Sequence, residues 1–270
     1  MSISVALQMY SVREDASKNL YATLKKVKAM GYDGVEFAGL YGHTPEEVRD
    51  MCADIGLVPV CAHVGYIEQV TDPNRVYQDF ATIGCKYIAV PMLAANVRPD
   101  TGNFGAVIEN LRMLGKYAKQ HELQLLYHNH DFEFYKLDGK YALDVLYDSV
   151  PTDLLQTEID TCWVKYAGVD PVEYLKKYPG RAPVVHLKDF SCTLIMDPEN
   201  APRHYCRLVA PTDFEFRPVG YGLQDMPAIM ETVKTLGTQW VVVEQDSPSM
   251  ELSALACAEK SRAYLKSIGY

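Results

Sequence analysis

The sequence predicts an α/β protein, a single (β/α)8 TIM barrel over residues 1–270. Three observations carry that expectation. Eight short apolar runs alternate with stretches of helical periodicity, most at a repeat of roughly 30 residues. Ionisable residues gather where the apolar runs end. An open doubly wound sheet would usually carry a Gly-rich phosphate turn after its first strand, and Gln8-Met9-Tyr10-Ser11-Val12-Arg13 has no glycine.

Taken in order, residues 5–10 form the first strand. Leu20, Leu24 and Val27 share one stripe of a helix over 20–30, and Gly31 closes it in the role glycine plays after a helix end. The second strand is 34–38. Thr44-Pro45-Glu46-Glu47 opens the next helix, with Thr as the cap, Pro at the first position and Glu at the third. That helix runs to Ile55, and Gly56 precedes the strand at 58–63. A helix at 75–83, ended by Gly84, leads to a strand at 87–90. A long amphipathic helix at 104–120 leads to the fifth strand, whose apolar run is 123–126. Helices at 142–148 and 171–177 flank a strand at 154–160. The strand at 183–187, helix at 226–236, strand at 240–244 and helix at 253–268 complete the series.

One interval is anomalous. About 35 residues, 189–224, separate the seventh strand from its helix, and a long ordered loop at a strand's carboxyl end is more often functional than not. It is expected to fold over the mouth of the barrel. Tyr205, Phe214, Phe216 and Tyr221 would anchor it, and Arg203, Arg207 and Arg217 would offer hydrogen-bond forks to a polyol, carboxylate or phosphate. The competing use is subunit contact.

Composition narrows the classes. With 48% hydrophobic and 23% charged residues the chain is ordinary for a globular protein. No run approaches the ~18 apolar residues of a membrane span, and no signal peptide is evident at Met1-Ser2-Ile3-Ser4-Val5. The net charge of −9 argues against a nucleic-acid or anionic-membrane surface. Seven scattered cysteines without a C-x-x-C pair argue against a disulfide framework or a structural zinc site. The expected setting is the cytoplasm, with no nucleic-acid or membrane partner; homo-oligomerisation is left open.

The fifth strand ends in Tyr127-His128-Asn129-His130-Asp131-Phe132-Glu133-Phe134. Two imidazoles, an amide and two carboxylates are costly to bury unless they share an ion or a hydrogen-bond network. In a strand, His128 and His130 can face one way and Asn129 the other. Any one of these histidines has a plain structural use as a strand cap, but other strand ends add Glu36, His63, Asp160, His186 with Lys188 and Asp189, and Glu244. In a barrel these ends surround one bowl. His128, Asp160, His186 and Glu244, from strands five to eight, make a mixed N/O set suited to one divalent metal ion: Mn²⁺, Mg²⁺, Co²⁺ or Zn²⁺. Such an ion can polarise a carbonyl and its neighbouring hydroxyl and stabilise an enediolate. A Ser–His–Asp hydrolase finds less support, because no G-x-S-x-G turn is present.

The chain resembles the xylose isomerase-like barrel superfamily, often labelled sugar phosphate isomerase/epimerase. The resemblance rests on Leu7-Gln8-Met9-Tyr10-Ser11-Val12-Arg13, Gly31-Tyr32-Asp33-Gly34-Val35-Glu36-Phe37, the segment 127–134, Glu158-Ile159-Asp160-Thr161-Cys162-Trp163-Val164, His186-Leu187-Lys188-Asp189 and Val243-Glu244-Gln245-Asp246. It implies a divalent metal held by Glu, Asp, His and Glu at the ends of strands five to eight. Asp160, His186 and Glu244 match the last three, whereas His128 stands where the first glutamate would fall. In the sugar epimerases two glutamates on opposite faces of the substrate shuttle protons. Only Glu244 remains of that pair here, so Glu158, His130, Lys188 and Glu36 become candidates for the other acid/base. Glu158 can also sit one layer deeper and support the ligands. Gln8, Glu36 and His63 are expected to touch the substrate.

The leading expectation is therefore a metal-dependent isomerase or epimerase of a small keto-sugar, polyol or inositol derivative. The alternative enzyme is a metal-dependent lyase or dehydratase of the keto-inositol or 3-keto-glycoside type, which the broken glutamate pair favours. Abasic-site endonuclease chemistry uses a related barrel, but the charge of −9 counts against it. A non-catalytic barrel would be marked by loss of the metal.

Overall fold

The computed structural model describes residues 3–192 and 213–270. Eight parallel strands, β1 (Ser4–Gln8), β2 (Gly34–Phe37), β3 (Val58–Ala62), β4 (Tyr87–Val90), β5 (Gln124–His128), β6 (Leu155–Asp160), β7 (Val184–Leu187) and β8 (Trp240–Val243), lie in the order β3-β2-β1-β8-β7-β6-β5-β4. A parallel bridge between His63 and Ala89, with Val64 N–H donating to Ala89 O at 3.1 Å, joins β3 to β4 and closes the ring. The expected (β/α)8 barrel is the observed fold.

Its helices are α1 (Leu20–Met30), α2 (Pro45–Ile55), α3 (Pro73–Ile83), α4 (Phe104–Gln120), α5 (Ala142–Ser149), α6 (Pro171–Leu175), α7 (Met226–Thr235) and α8 (Ala254–Ser267). Local chemistry sets their ends. Thr44 Oγ1 accepts from Glu47 N–H at 3.2 Å while Glu47 accepts from Thr44 N–H at 2.9 Å, so the capping box is complete. α1 stops at Gly31, whose φ of 94° suits glycine and few other residues. Two apolar layers result. The larger lies between strands and helices, and a smaller plug of Ala6, Val60, Cys61, Tyr87, Ala89, Leu126, Val184 and Val242 fills the lower barrel.

The departures from expectation are local. β1 ends at Gln8 rather than running to Tyr10, because Gln8 Oε1 accepts from Tyr10 N–H at 3.0 Å and turns the chain into a 3-10 segment, Met9–Val12. Short helices at Arg13–Lys18, Tyr66–Thr71 and Thr161–Tyr166 follow strand ends. They are too short to show a 3.6-residue pattern. The long connection after β7 begins as a hairpin, with Asp189–Ser191 antiparallel to Glu215–Arg217. The Asp189 carboxylate ties its neck: Oδ2 accepts from Gly220 and Gly222 N–H, both at 3.0 Å, and Oδ1 from Phe190 at 2.9 Å and Gln224 at 3.1 Å. Arg203, Tyr205 and Arg207 lie outside the described residues.

Candidate active site

Strand periodicity builds the site. Side chains two residues apart share a face. Above the plug residues Ala6, Leu126, Val184 and Val242 therefore come Gln8, His128, His186 and Glu244. Register then pairs Gln8 with Glu36, His128 with Glu158, and Asp160 with His186 across neighbouring strands. The result is two stacked polar layers.

The lower layer is buried. Gln8 Nε2 donates to Glu36 Oε1 at 2.8 Å. His63 Nε2 contacts Glu36 Oε1 and lies 2.7 Å from Glu158 Oε2. His186 Nε2 is 3.1 Å from Glu36 Oε2. Burial alone would raise the Glu36 carboxyl, but His63 and His186 outweigh it and hold the group at about 2. Burial likewise opposes charge on His63, yet Glu36 and Glu158 push that imidazole up to about 10. Glu158 is raised by burial and by the neighbouring Glu36 charge. Protons shared between two carboxylates and two imidazoles thus replace the solvation this layer has lost.

In the upper layer, His186 Nδ1 lies 3.0 Å from Glu244 Oε2, and His128 Nε2 lies 3.6 Å from Asp160 Oδ2. Asp160 Oδ1 caps the helix Thr161–Tyr166, accepting from Cys162 N–H at 2.8 Å and Trp163 N–H at 3.2 Å. That fixes the carboxylate and leaves Oδ2 facing the barrel. The Lys188 ammonium stands 3.0 Å from Glu244 Oε2, 3.3 Å from Asp160 Oδ2 and 3.3 Å from Asp246 Oδ1. Against the effect of burial, Glu244, Asp160 and Asp246 hold it protonated, well above the ordinary lysine range. Glu244 resists burial in turn and stays ionised beside Lys188 and His186. His128 is the opposite case. Burial, with His186 and His63 adding to it, keeps its imidazole neutral.

One ligand atom from each of His128, Asp160, His186 and Glu244 lies within 4.8 Å of the others. Asp160 Oδ2 is buried and accepts no hydrogen bond, facing the Lys188 ammonium at 3.3 Å and His128 Nε2 at 3.6 Å. Unsatisfied buried polar atoms call for a missing partner. His128 is already neutral, and His186, whose imidazole Glu36, Glu158 and Glu244 hold protonated against burial, would give up a proton on binding; with those two imidazoles and two carboxylates the donor set fits a divalent cation.

The rest of the fifth-strand cluster has other duties. Asn129 Oδ1 accepts from Asp160 N–H at 3.0 Å, tying β5 to β6. Glu133 is buried and accepts from Tyr127 Oη–H at 2.7 Å and His130 N–H at 2.8 Å. Burial lifts its carboxyl from 4.5 to about 8.

A cavity of about 480 Å³ opens above the two layers, within the range of small-molecule sites. Tyr10, Ala38, His63, Pro91, Met92, His128, His130, Lys188, Glu244 and Asp246 line it. His130 stacks between Phe132 and Trp163, at centroid distances of 5.8 and 5.2 Å, and burial followed by the Lys188 charge lowers it to about 3. Gln8, Glu36 and Glu158 lie beneath the lining, bonded to one another or to histidines. Of the long loop, Phe214 stacks on Trp163 at 6.0 Å, and Phe216 lies under the Lys188 ammonium at 5.7 Å. Tyr221 instead packs on Tyr264, and Arg217 pairs with Glu215.

Sequence reasoning passed over Asp246. It faces the cavity, and burial raises its carboxyl to about 6 even with Lys188 beside it. Its signal was slight, because Asp246 stands three residues past the end of β8, where strand alternation no longer fixes facing.

A sequence model of the xylose isomerase-like TIM barrel matches residues 24–268. The chain belongs to that family. It is 27% identical over 157 residues to an inosose dehydratase of Clostridium botulinum (strain Eklund 17B / Type B), a match covering 58% of this chain and 51% of the relative. The chain thus spans about half the length of that relative. Among solved structures, a sugar phosphate isomerase/epimerase from Parabacteroides distasonis superposes with a TM-score of 0.78 at 20% identity, covering 98% of this chain and 94% of the other. The IOLI protein with a bound zinc atom superposes with a TM-score of 0.75 at 16% identity, covering 98% of both. At these identities the structural likenesses show the fold. Among the described residues no helix is long and apolar enough to cross a membrane.

Proposed function

We propose that this family member is a divalent-metal-dependent lyase that removes water from a small keto-polyol of the inosose type. One observation carries the reading. Two proton-handling groups at the cavity, Lys188 and Asp246, form a contacting pair, with Lys188 Nζ 3.3 Å from either carboxylate oxygen. The matching inosose dehydratase supports the same class.

Bound by His128, Asp160, His186 and Glu244, a divalent ion would supply a Lewis acid for the substrate's ketone and neighbouring hydroxyl. Asp246, near neutrality in its titration, takes the proton from the carbon beside the ketone. Lys188 Nζ gives a proton to the departing hydroxyl, which leaves as water while the carbon–carbon double bond forms. Protonating Asp246 removes one of the three carboxylates that hold the ammonium charged, so Lys188 becomes a better donor when it must act. Direct contact between the two lets Asp246 return its proton to Lys188 and reset the pair. Trp163 and Phe216 lie 5.4 and 5.7 Å from Nζ and limit water around it.

The lining among the described residues contains one lysine and no arginine, and that lysine is engaged with carboxylates. An uncharged polyol suits such a wall better than a phosphate ester. Epimerisation is the second reading, because neutral His130 faces the same cavity and can receive a proton from another direction. Incubating metal-loaded protein with a panel of keto-inositols and keto-sugars separates the two. A product lighter by one water, absorbing as a conjugated enone, supports the lyase. A product of unchanged mass and inverted configuration supports the epimerase.

A further inference from the structure

We propose that the buried layer beneath the cavity floor is a second cation seat, formed by His63, His128, Glu158 and His186, and that it takes zinc. One ligand atom from each of the four lies within 4.8 Å of the others. Two of the four also belong to the upper set, but they offer it their opposite ring nitrogens. His128 turns Nε2 to Asp160 Oδ2 at 3.6 Å and Nδ1 to Glu158 Oε2 at 3.5 Å. His186 turns Nδ1 to Glu244 Oε2 at 3.0 Å and Nε2 down, 3.1 Å from Glu36 Oε2 and 3.8 Å from Glu158 Oε1.

A layer held together by hydrogen bonds alone does not account for His128 Nδ1, which is buried and has no hydrogen-bond partner. Its 3.5 Å to Glu158 is too long for a good hydrogen bond. It does match the separation, roughly 3.4 Å, of two donors bonded to one tetrahedral zinc at about 2.1 Å. The 2.7 Å between His63 and Glu158 is the spacing of a shared proton. An entering ion would displace the protons that His63 Nε2 and His186 Nε2 share with Glu158 and Glu36, releasing one from each ring.

Donor chemistry distinguishes the seats. Three imidazoles and one carboxylate make the softer set and draw zinc more strongly than the two imidazoles and two carboxylates above, whose extra oxygens favour manganese relative to zinc. Lys188 stands against the upper carboxylates and forms no ion pair with Glu158. His63 lines the cavity, which provides the way in. Because neither shared ring can give both nitrogens to two ions while remaining a neutral imidazole, the seats fill one at a time, with one ion per chain. This inference is independent of the reaction proposed above.

The test uses the full chain and no substrate. Crystals soaked in zinc, and separately in manganese, are measured at each metal's absorption edge, and calorimetry gives stoichiometry for wild type, Asp160→Asn and Glu158→Gln. The expected zinc peak lies among His63, His128, Glu158 and His186, and the manganese peak beside Asp160 and Glu244. Asp160→Asn then loses manganese and keeps zinc, while Glu158→Gln loses zinc. A zinc peak beside Asp160 and Glu244, loss of zinc binding in Asp160→Asn, or two ions per chain would overturn the proposal. Should a variant fail to fold, the wild-type zinc map still decides.

Discussion

Lys188 Nζ stands 3.0 Å from Glu244 Oε2, so a protein cation shares a carboxylate proposed as a metal ligand. On the proposed mechanism the two cations would compete for one oxygen's charge while serving different steps. Lys188→Met should therefore bind manganese at least as tightly as wild type and lose turnover by ~10²–10⁴-fold. Calorimetry and steady-state kinetics on the same preparation measure the split. Loss of metal binding together with activity would assign Lys188 a structural role instead.

Asp160 divides its oxygens, one capping a helix and one facing the cation set. Asp160→Asn keeps an oxygen for Cys162 and Trp163 N–H but replaces the ligand atom with an amide. The metal-free protein should melt near the wild-type temperature. Manganese at a hundredfold its wild-type Kd should stabilise the wild type by about 2.7 kcal/mol. The variant should show none of that gain, and thermal melts with and without manganese read it out.

Four backbone N–H groups converge on the Asp189 carboxylate at the neck of the long loop. Asp189→Ala leaves them without that acceptor and should cost about 2–4 kcal/mol in urea unfolding. Gly222 is bound to the same geometry, since a Cβ there would collide with Asp189 Oδ1. An unchanged unfolding midpoint would show that water or a rearranged neck satisfies the same donors.

Glu133 sets a pH dependence of stability. Its carboxyl is raised on folding from 4.5 to about 8, chiefly by burial. The folded state therefore binds more protons than the unfolded state in this window, so stability is full below about 4.5 and falls as pH rises through about 8. Glu133→Gln, which resembles the neutral acid, should flatten the decline. Unfolding curves across that range, wild type against variant, test it; parallel slopes would locate the titration elsewhere.

The barrel was legible because its elements are long enough to repeat. α1, α2 and α4 keep a helical stripe over 11 residues or more, and the strand ends carry His128, Asp160, His186 and Glu244 on inward positions. What escaped notice was short or shared. Thr161–Tyr166 spans 6 residues, and its cap is Asp160, a residue already read as a ligand. The stacking of the polar layers was partly visible at Glu158, two residues before Asp160. That His63 from β3 meets Glu158 from β6 depends on ring closure and strand stagger, which periodicity along one strand does not encode. Asp246 lay beyond the apolar run, where the sequence offers charge but no indication of facing.

On the proposed mechanism Asp246 takes a proton from carbon while Lys188 gives one to the departing hydroxyl. Its most direct test follows a 2-keto-inositol by proton NMR with magnesium-loaded wild type and Asp246→Asn side by side. Wild type should give an unsaturated, dehydrated product, and the variant a rate lower by ~10²–10⁴-fold. A product retaining every hydroxyl with one centre inverted, formed equally fast by both proteins, would contradict it.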